Sequence, residues 1–384
     1  MKLRCFGVLM LAAVPAVGQV ETSRFQGRDA WALEGPEARV TILQSGGHVG
    51  EIVLKGADAV NPLWIPPRAT MDPDRYDPEK HGQLYGRGPS ARLMSGLLGH
   101  NLCFPFWGDP SPPEAAAGMG LHGEAGVLRW RMVSSGRDWL AVSVDLPDSM
   151  TRFVRRVSLS GRIVAFEETA ANLSGWDRPV GWCEHVTLGP PFLDRGVTLF
   201  DASLTRGYSD DSPIEFVWPE GLAGGSKVDL RRMRDVERGP GLVNHYLVDP
   251  QREYGFFTAL NPKLGLLFGY VFRRTDFCWL NAWESIGPRE ITRGMEFSDT
   301  PVHATMRGLF SRPEVFSTPA FEWLDGKSKL VKKFWAFITR VPAGFRGAAG
   351  ARWSGDQLEI VERETGRTIA LGPAPGFRER IKRK

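Results

Sequence analysis

Residues 172–193 read NLSGWDRPVGWCEHVTLGPPFL. The segment scans as a strand, a polar turn and a second strand. Ser174, Gly175, Asp177, Arg178 and Pro179 are turn formers. The run 180–188 follows, and Gly189-Pro190-Pro191 ends it, because proline cannot donate to a sheet ladder. One titratable imidazole, His185, lies in the second strand beside Trp182. A single histidine near an apolar strand is more often a hydrogen-bonded structural residue than a catalyst. The rest of the chain moves the reading toward a proton donor in a cleft. Asn172-Leu173-Ser174 also fits a glycosylation sequon, but its place at a strand end reads as turn entry.

Working outward, the same short-strand texture recurs. Two apolar runs flank Gly46-Gly47 within 38–54, a hairpin-like pair. Alternation marks 139–146, 153–159 (FVRRVSL) and 162–172, and similar runs occupy 197–200, 255–260, 265–272, 277–282, 291–297 and 331–340. Residues 357–362 and 368–371 read as a last hairpin. Many short strands with few helical stretches predict an all-β sandwich. Residues 61–95 carry six prolines, at 62, 66, 67, 73, 78 and 89, so neither a helix nor a central strand is expected there. A loop that long usually covers something functional. A short helix at most is expected within 311–328. No linker divides the chain, so 19–384 reads as one β-sandwich domain.

Bulk properties narrow the class. The 384 residues are 42% hydrophobic and 24% charged, ordinary globular values. The formal net charge is +4, and Arg378, Arg380, Lys382, Arg383 and Lys384 form a basic tail better read as a solvated end than a nucleic-acid site. No basic-aromatic stripe of the kind that binds nucleic acid occurs elsewhere. The 13 Trp and 22 Phe hint weakly at sugar stacking, since large β cores use the same residues. Lys2 and Arg4, the apolar run 6–14 and Ala16-Val17-Gly18 read as a signal peptide over 1–18, giving an exported protein, periplasmic or extracellular, that starts near Gln19. The run is too short to stay as a membrane span, and no later stretch approaches that length, so no membrane insertion is expected. Cys103, Cys183 and Cys278 remain after such cleavage; none has zinc-like spacing, so no metal is implied. Three buried thiols is the favoured reading, with a Cys103–Cys183 pairing left open.

Three titratable groups sit where a β-rich segment meets a Gly or Pro break: His122 in LHGEAG, His185 in CEHVTLGPP and Glu296 in RGMEFSDTP. The glycine after His122 suggests close backbone approach or an unusual dihedral. A carboxylate of reference pKa about 4.3 and an imidazole of about 6.5 suit proton traffic. His100, His303, Glu124 and Glu184 are alternatives, while His48, His81 and His245 read as surface residues.

The ordered set NLCFPFWG, GLHGEAGVLRW, NLSGWDRPVGWCEHVTLGPPF and RGMEFSDTP resembles the aldose 1-epimerases, or galactose mutarotase-like proteins, over about 46–340. The resemblance implies a large antiparallel β supersandwich with its site on a concave sheet face. It implies Glu296 as the general base on the anomeric hydroxyl, His185 as the acid on the ring oxygen, and His122 as a sugar ligand. Asn101 resembles a sugar-contacting position, and Trp283 in LNAWES could border the sugar. The implied partner is a sugar or oligosaccharide, with no cofactor, because the chemistry is two positioned proton transfers. The pattern departs from the family where an Arg is usual and Gly126 stands, with Arg129 a possible substitute, and where Phe297 rather than Pro follows Glu296. Those departures put the usual hexose substrate in doubt. A non-catalytic carbohydrate-binding protein on the same fold is the alternative. The proton relay requires His185 and Glu296 to face one cavity about a sugar ring apart.

Overall fold

The computed structural model describes residues 19–375 except 289, 302 and 304. The expected signal peptide and the basic tail lie outside the described residues.

Alternation along the strands fixes which side of each sheet is buried. Thr151–Ser160 alternates buried and less buried residues along its whole length, as the FVRRVSL pattern demands. Eleven antiparallel strands form the first sheet. From one edge they run Gln19–Phe25, Arg28–Glu34, Ala38–Leu43, Val49–Leu54, His100–Cys103, Cys183–Leu188, Ile291–Ser298, Trp279–Ile286, Gly239–Val248, Leu204–Ser209 and Ser212–Val217. Eight strands form the second sheet, with Lys329–Arg340 and Ile163–Asn172 near its middle. The main apolar core, including Phe153, Phe166, Trp182, Phe268, Phe297 and Phe334, draws on both sheets. A three-stranded sheet, Ala348–Ser354, Gln357–Glu362 and Thr368–Pro373, packs through Leu358, Ile360 and Leu371 against Trp335, Phe337 and Leu267 of the second. This is the antiparallel supersandwich expected of the sequence.

The prolines at 61–95 exclude less than expected. Pro73–Arg75, Pro78–Tyr85 and Ala91–Gly96 are short helical turns. Pro73 and Pro78 sit in the first turn, where a missing N–H costs nothing, and the Asp77 side chain caps the second turn by accepting from the Glu79 N–H at 2.9 Å. The late helix is Met306–Ser311, just before the 311–328 window. Asn172 is buried at its strand end and donates to the carbonyls of Trp176, Leu324 and Asp325, so it shapes the turn.

A fully buried polar cluster joins the two sheets. Glu184 accepts from His100 Nε2 at 2.7 Å and from Trp182 Nε1 at 2.8 Å, while Arg155 reaches Glu184 at 3.3 Å and also bonds Glu168. His100 Nδ1 lies 2.9 Å from the Tyr270 hydroxyl. Burial, helped by Arg155, pushes the His100 imidazole well below its usual range, and burial holds the Glu168 carboxyl well above its own despite Arg155. Glu184 and His100 are the chain neighbours of His185 and Asn101, so this cluster anchors the strands that carry the site.

Candidate active site

Antiparallel register assembles the site. Cys183 pairs with Ser298, Glu184 with Phe297 and Thr187 with Gly294, which sets His185 opposite Glu296. His185 pairs with Asn101 on its other side, Glu296 with Asn281, Asn281 with His245, and His245 with Tyr208. Six adjacent strands therefore hold one row: Asn101, His185, Glu296, Asn281, His245 and Tyr208. Alternation sends their chain neighbours Leu102, Glu184, Phe297, Leu280 and Tyr246 to the opposite, core face.

His185 Nε2 lies 2.9 Å from Glu296 Oε1. The approach is poorly aligned for a hydrogen bond, and Glu296 Oε1 has no hydrogen-bond partner. The pair is thus in contact rather than a sugar ring apart as expected. The reason is geometric: directly opposed residues have Cβ atoms only about 5 Å apart, so their side chains meet. His185 Nδ1 lies 3.2 Å from the Thr187 hydroxyl. Glu296 is fully buried and His185 is 6% exposed.

His122 comes from a different part of the chain. Its backbone has φ +62° and Gly123 φ +77°, the unusual dihedrals that the His-Gly step suggested. A Cβ on Gly123 would lie 2.3 Å from the Phe104 carbonyl oxygen, so glycine is needed there. His122 Nδ1 accepts from the Gly108 N–H at 3.0 Å, which places any ring proton on Nε2. Burial, reinforced by His185 and His303, holds this imidazole well below its usual range, so it stays neutral. Its ring centroid is 5.3 Å from that of His185 and 5.7 Å from that of His303.

Trp283 borders the pair, its ring 5.8 Å from His185. A Cβ on Gly294 would fall 1.8 Å from Trp283 Nε1, so the glycine makes the hollow in which the indole lies. Trp107 packs edge-on against His303 and His245 at 4.7 and 5.7 Å. Buried polar atoms of Asn101 (Oδ1), Trp107 (Nε1), Trp283 (Nε1) and Glu296 (Oε1) all lack a hydrogen-bond partner among the described residues. Each such atom costs about 1–3 kcal/mol, so their gathering on one face is a reservoir for ligand hydrogen bonds.

Of the residues singled out in the sequence, Asn101, His122, His185, Trp283 and Glu296 come together. Arg129 does not. It pairs with Asp29, Asp72 and Asp74 and bonds Gln44, at the start of the first sheet. A side chain at Gly126 would crowd its buried surroundings, since a Cβ there would lie 3.1 Å from Leu93 and touch the Leu102 carbonyl and His48. His48 and His245 are buried, not at the surface. His48 lies 2.9 Å from the Gly126 carbonyl, while His245 Nδ1 lies 2.9 Å from Asn281 Oδ1. His81 is half-buried on a short helix, and Glu124 is held by the Asp148 and Ser149 N–H groups. Asn281, His245 and Trp107 are the site-face residues the sequence did not flag. The spacing of Asn281 and Trp283 puts both on one strand face, which was a usable signal; the row itself depends on register.

No family model and no curated protein matches the chain. Solved structures do. A galactose mutarotase-like protein from Clostridium acetobutylicum superposes with a TM-score of 0.59 at 12% identity, over 85% of this chain and 99% of that one. A galactose mutarotase related enzyme from Lactobacillus acidophilus gives 0.53 at 13% identity, over 82% and 99%. A protein of Synechocystis sp. PCC 6803 gives 0.55 at 15% identity, over 88% and 100%. Such identities speak to the fold alone, and on that evidence the chain adopts the galactose mutarotase-like β-supersandwich fold.

Proposed function

We propose that this protein is an exported epimerase acting at the anomeric carbon of a sugar or sugar derivative. The observation that carries the reading is the Glu296–His185 pair: a buried carboxylate with an unpartnered oxygen, touching an imidazole at the rim of the same face. Ring opening removes a proton from the anomeric hydroxyl and delivers one to the ring oxygen. Both oxygens are bonded to the same carbon, so a base and an acid on one sheet face can reach them together. In this scheme Glu296 takes the hydroxyl proton and protonated His185 gives one to the ring oxygen. Rotation about the C1–C2 bond and reclosure then yield the other anomer. Sugar hydroxyls would satisfy Asn101 Oδ1 and Trp283 Nε1, and neutral His122 offers an Nε2–H donor. Polarimetry or NMR exchange over a sugar panel tests the reading: a rate above the spontaneous one that falls in Glu296→Gln and His185→Ala supports it, and no gain with any sugar overturns it.

The closeness of His185 and Glu296 also favours a second reading, a non-catalytic sugar-binding protein in which the two form a static pair. That reading predicts calorimetric binding with no anomeric rate change and little effect of Glu296→Gln on affinity.

A further inference from the structure

Cys103 and Cys183 are directly opposed on neighbouring antiparallel strands, on the same face as Glu296. Both are fully buried, unbridged thiols, packed together with Trp107. Asn101 Nδ2 donates to Cys103 Sγ at 3.7 Å, and Cys183 Sγ donates to Glu296 Oε2 at 3.9 Å. Polar contacts thus tie Cys103 to Asn101 and its strand partner Cys183 to the carboxylate. Opposed residues in an antiparallel pair have Cα atoms about 4.5–5.5 Å apart, inside the span a disulfide accepts. Cys278 sits apart, at the Trp279–Tyr208 end of the sheet.

We propose that Cys103 and Cys183 are a modification site, a dithiol in the floor of the candidate active site that closes to a cross-strand disulfide in the presence of a small disulfide such as oxidised glutathione. One cysteine thiolate attacks a glutathione sulfur and releases one glutathione thiolate. The second cysteine thiolate attacks the resulting mixed disulfide at the protein sulfur and releases the other. The protein pair loses two electrons and two protons, and one glutathione disulfide becomes two glutathiones. Burial raises both thiol pKa values, so the reaction belongs to folding rather than to the closed native state. In the exported setting proposed above, disulfides form and persist. Closure removes the Cys183 S–H that donates to Glu296 Oε2. Cys183 is therefore a positioning residue for Glu296, a consequence that rests on the epimerase reading.

The test refolds the full chain in glutathione buffer, either oxidised or fully reduced, then alkylates it under denaturing conditions and maps the peptides. The expected result after oxidised refolding is a linked pair of peptides carrying Cys103 and Cys183, two hydrogens lighter than the separate thiols, with Cys278 still alkylated. Cys103→Ser and Cys183→Ser each abolish the linked peptide, and Cys278→Ser keeps it. Alkylation of both Cys103 and Cys183 in the oxidised sample, or a link through Cys278, overturns the site. Comparing mutarotation–pH profiles of the two forms tests the second step. The mutarotation profile of the oxidised form should differ from that of the reduced form, and reduced Cys183→Ala should match the oxidised one. Identical profiles overturn the tie to Glu296. If no sugar is turned over at all, the epimerase reading fails while the peptide map still decides the disulfide.

Discussion

Glu296 gains nothing from burial unless something outside the fold completes its hydrogen bonding. Its Oε1 touches His185 without an aligned bond, and its Oε2 accepts only a long thiol contact. Removing the charge while keeping the shape should therefore spare folding and strike chemistry. Glu296→Gln is expected to lower the mutarotation rate roughly a hundred- to ten-thousand-fold with an unchanged urea midpoint. Gly294→Ala acts differently, because its new methyl group occupies the place of the Trp283 indole. The displaced ring should change the tryptophan emission and weaken sugar binding several-fold by calorimetry, at a stability cost of about 1–3 kcal/mol. His122 links the site to pH. Its imidazole is held below its unfolded pKa, so the unfolded state binds the extra proton. The stability it contributes is complete above about pH 6.5 and is lost as pH falls below that value. His122→Asn, which tolerates the positive φ, should flatten the stability–pH curve on the acid side of 6.5 by up to about 1.4 kcal/mol per pH unit, measured by urea unfolding across pH.

At the scale of strands, the site is a consequence of pairing. The Cys183–Leu188 strand is buried on both faces: His185 turns to the site and Glu184 to the buried cluster with His100, Arg155 and Glu168. Arg155→Met would leave two buried carboxyl groups without their cation and is expected to destabilise the fold by about 3–5 kcal/mol in denaturant unfolding. The strands themselves were readable, since alternation in FVRRVSL and the turn residues after Asn172 are local signals. One local expectation, that 61–95 holds no helix, failed for local reasons: Pro78 fits a first helical turn rather than breaking one, and Asp77 caps it. Register was not readable. Nothing in the sequence says that His185 meets Glu296, or that His245, taken for a surface residue, continues the row beyond Asn281.

For the whole molecule, the two-sheet architecture follows from the strand pattern, and five of six proposed site residues share one region: Asn101, His185, Glu296 and Trp283 on adjacent strands, and His122 from a turn. Arg129 does not join them: the positive charge that sequence reasoning sought near the sugar is spent on Asp29, Asp72 and Asp74. The groups around the pair are then neutral His122, with His303 beside it, Asn101 and indoles. Among the described residues no helix is long and apolar enough to cross a membrane. The central claim is that this face opens and recloses a sugar ring. The most direct measurement is NMR exchange between anomers across a panel of free sugars, with the wild-type chain and Glu296→Gln at equal concentration. The account predicts exchange above the spontaneous rate for at least one sugar and its collapse in the variant; spontaneous rates for every sugar, or an undiminished rate in Glu296→Gln, would contradict it.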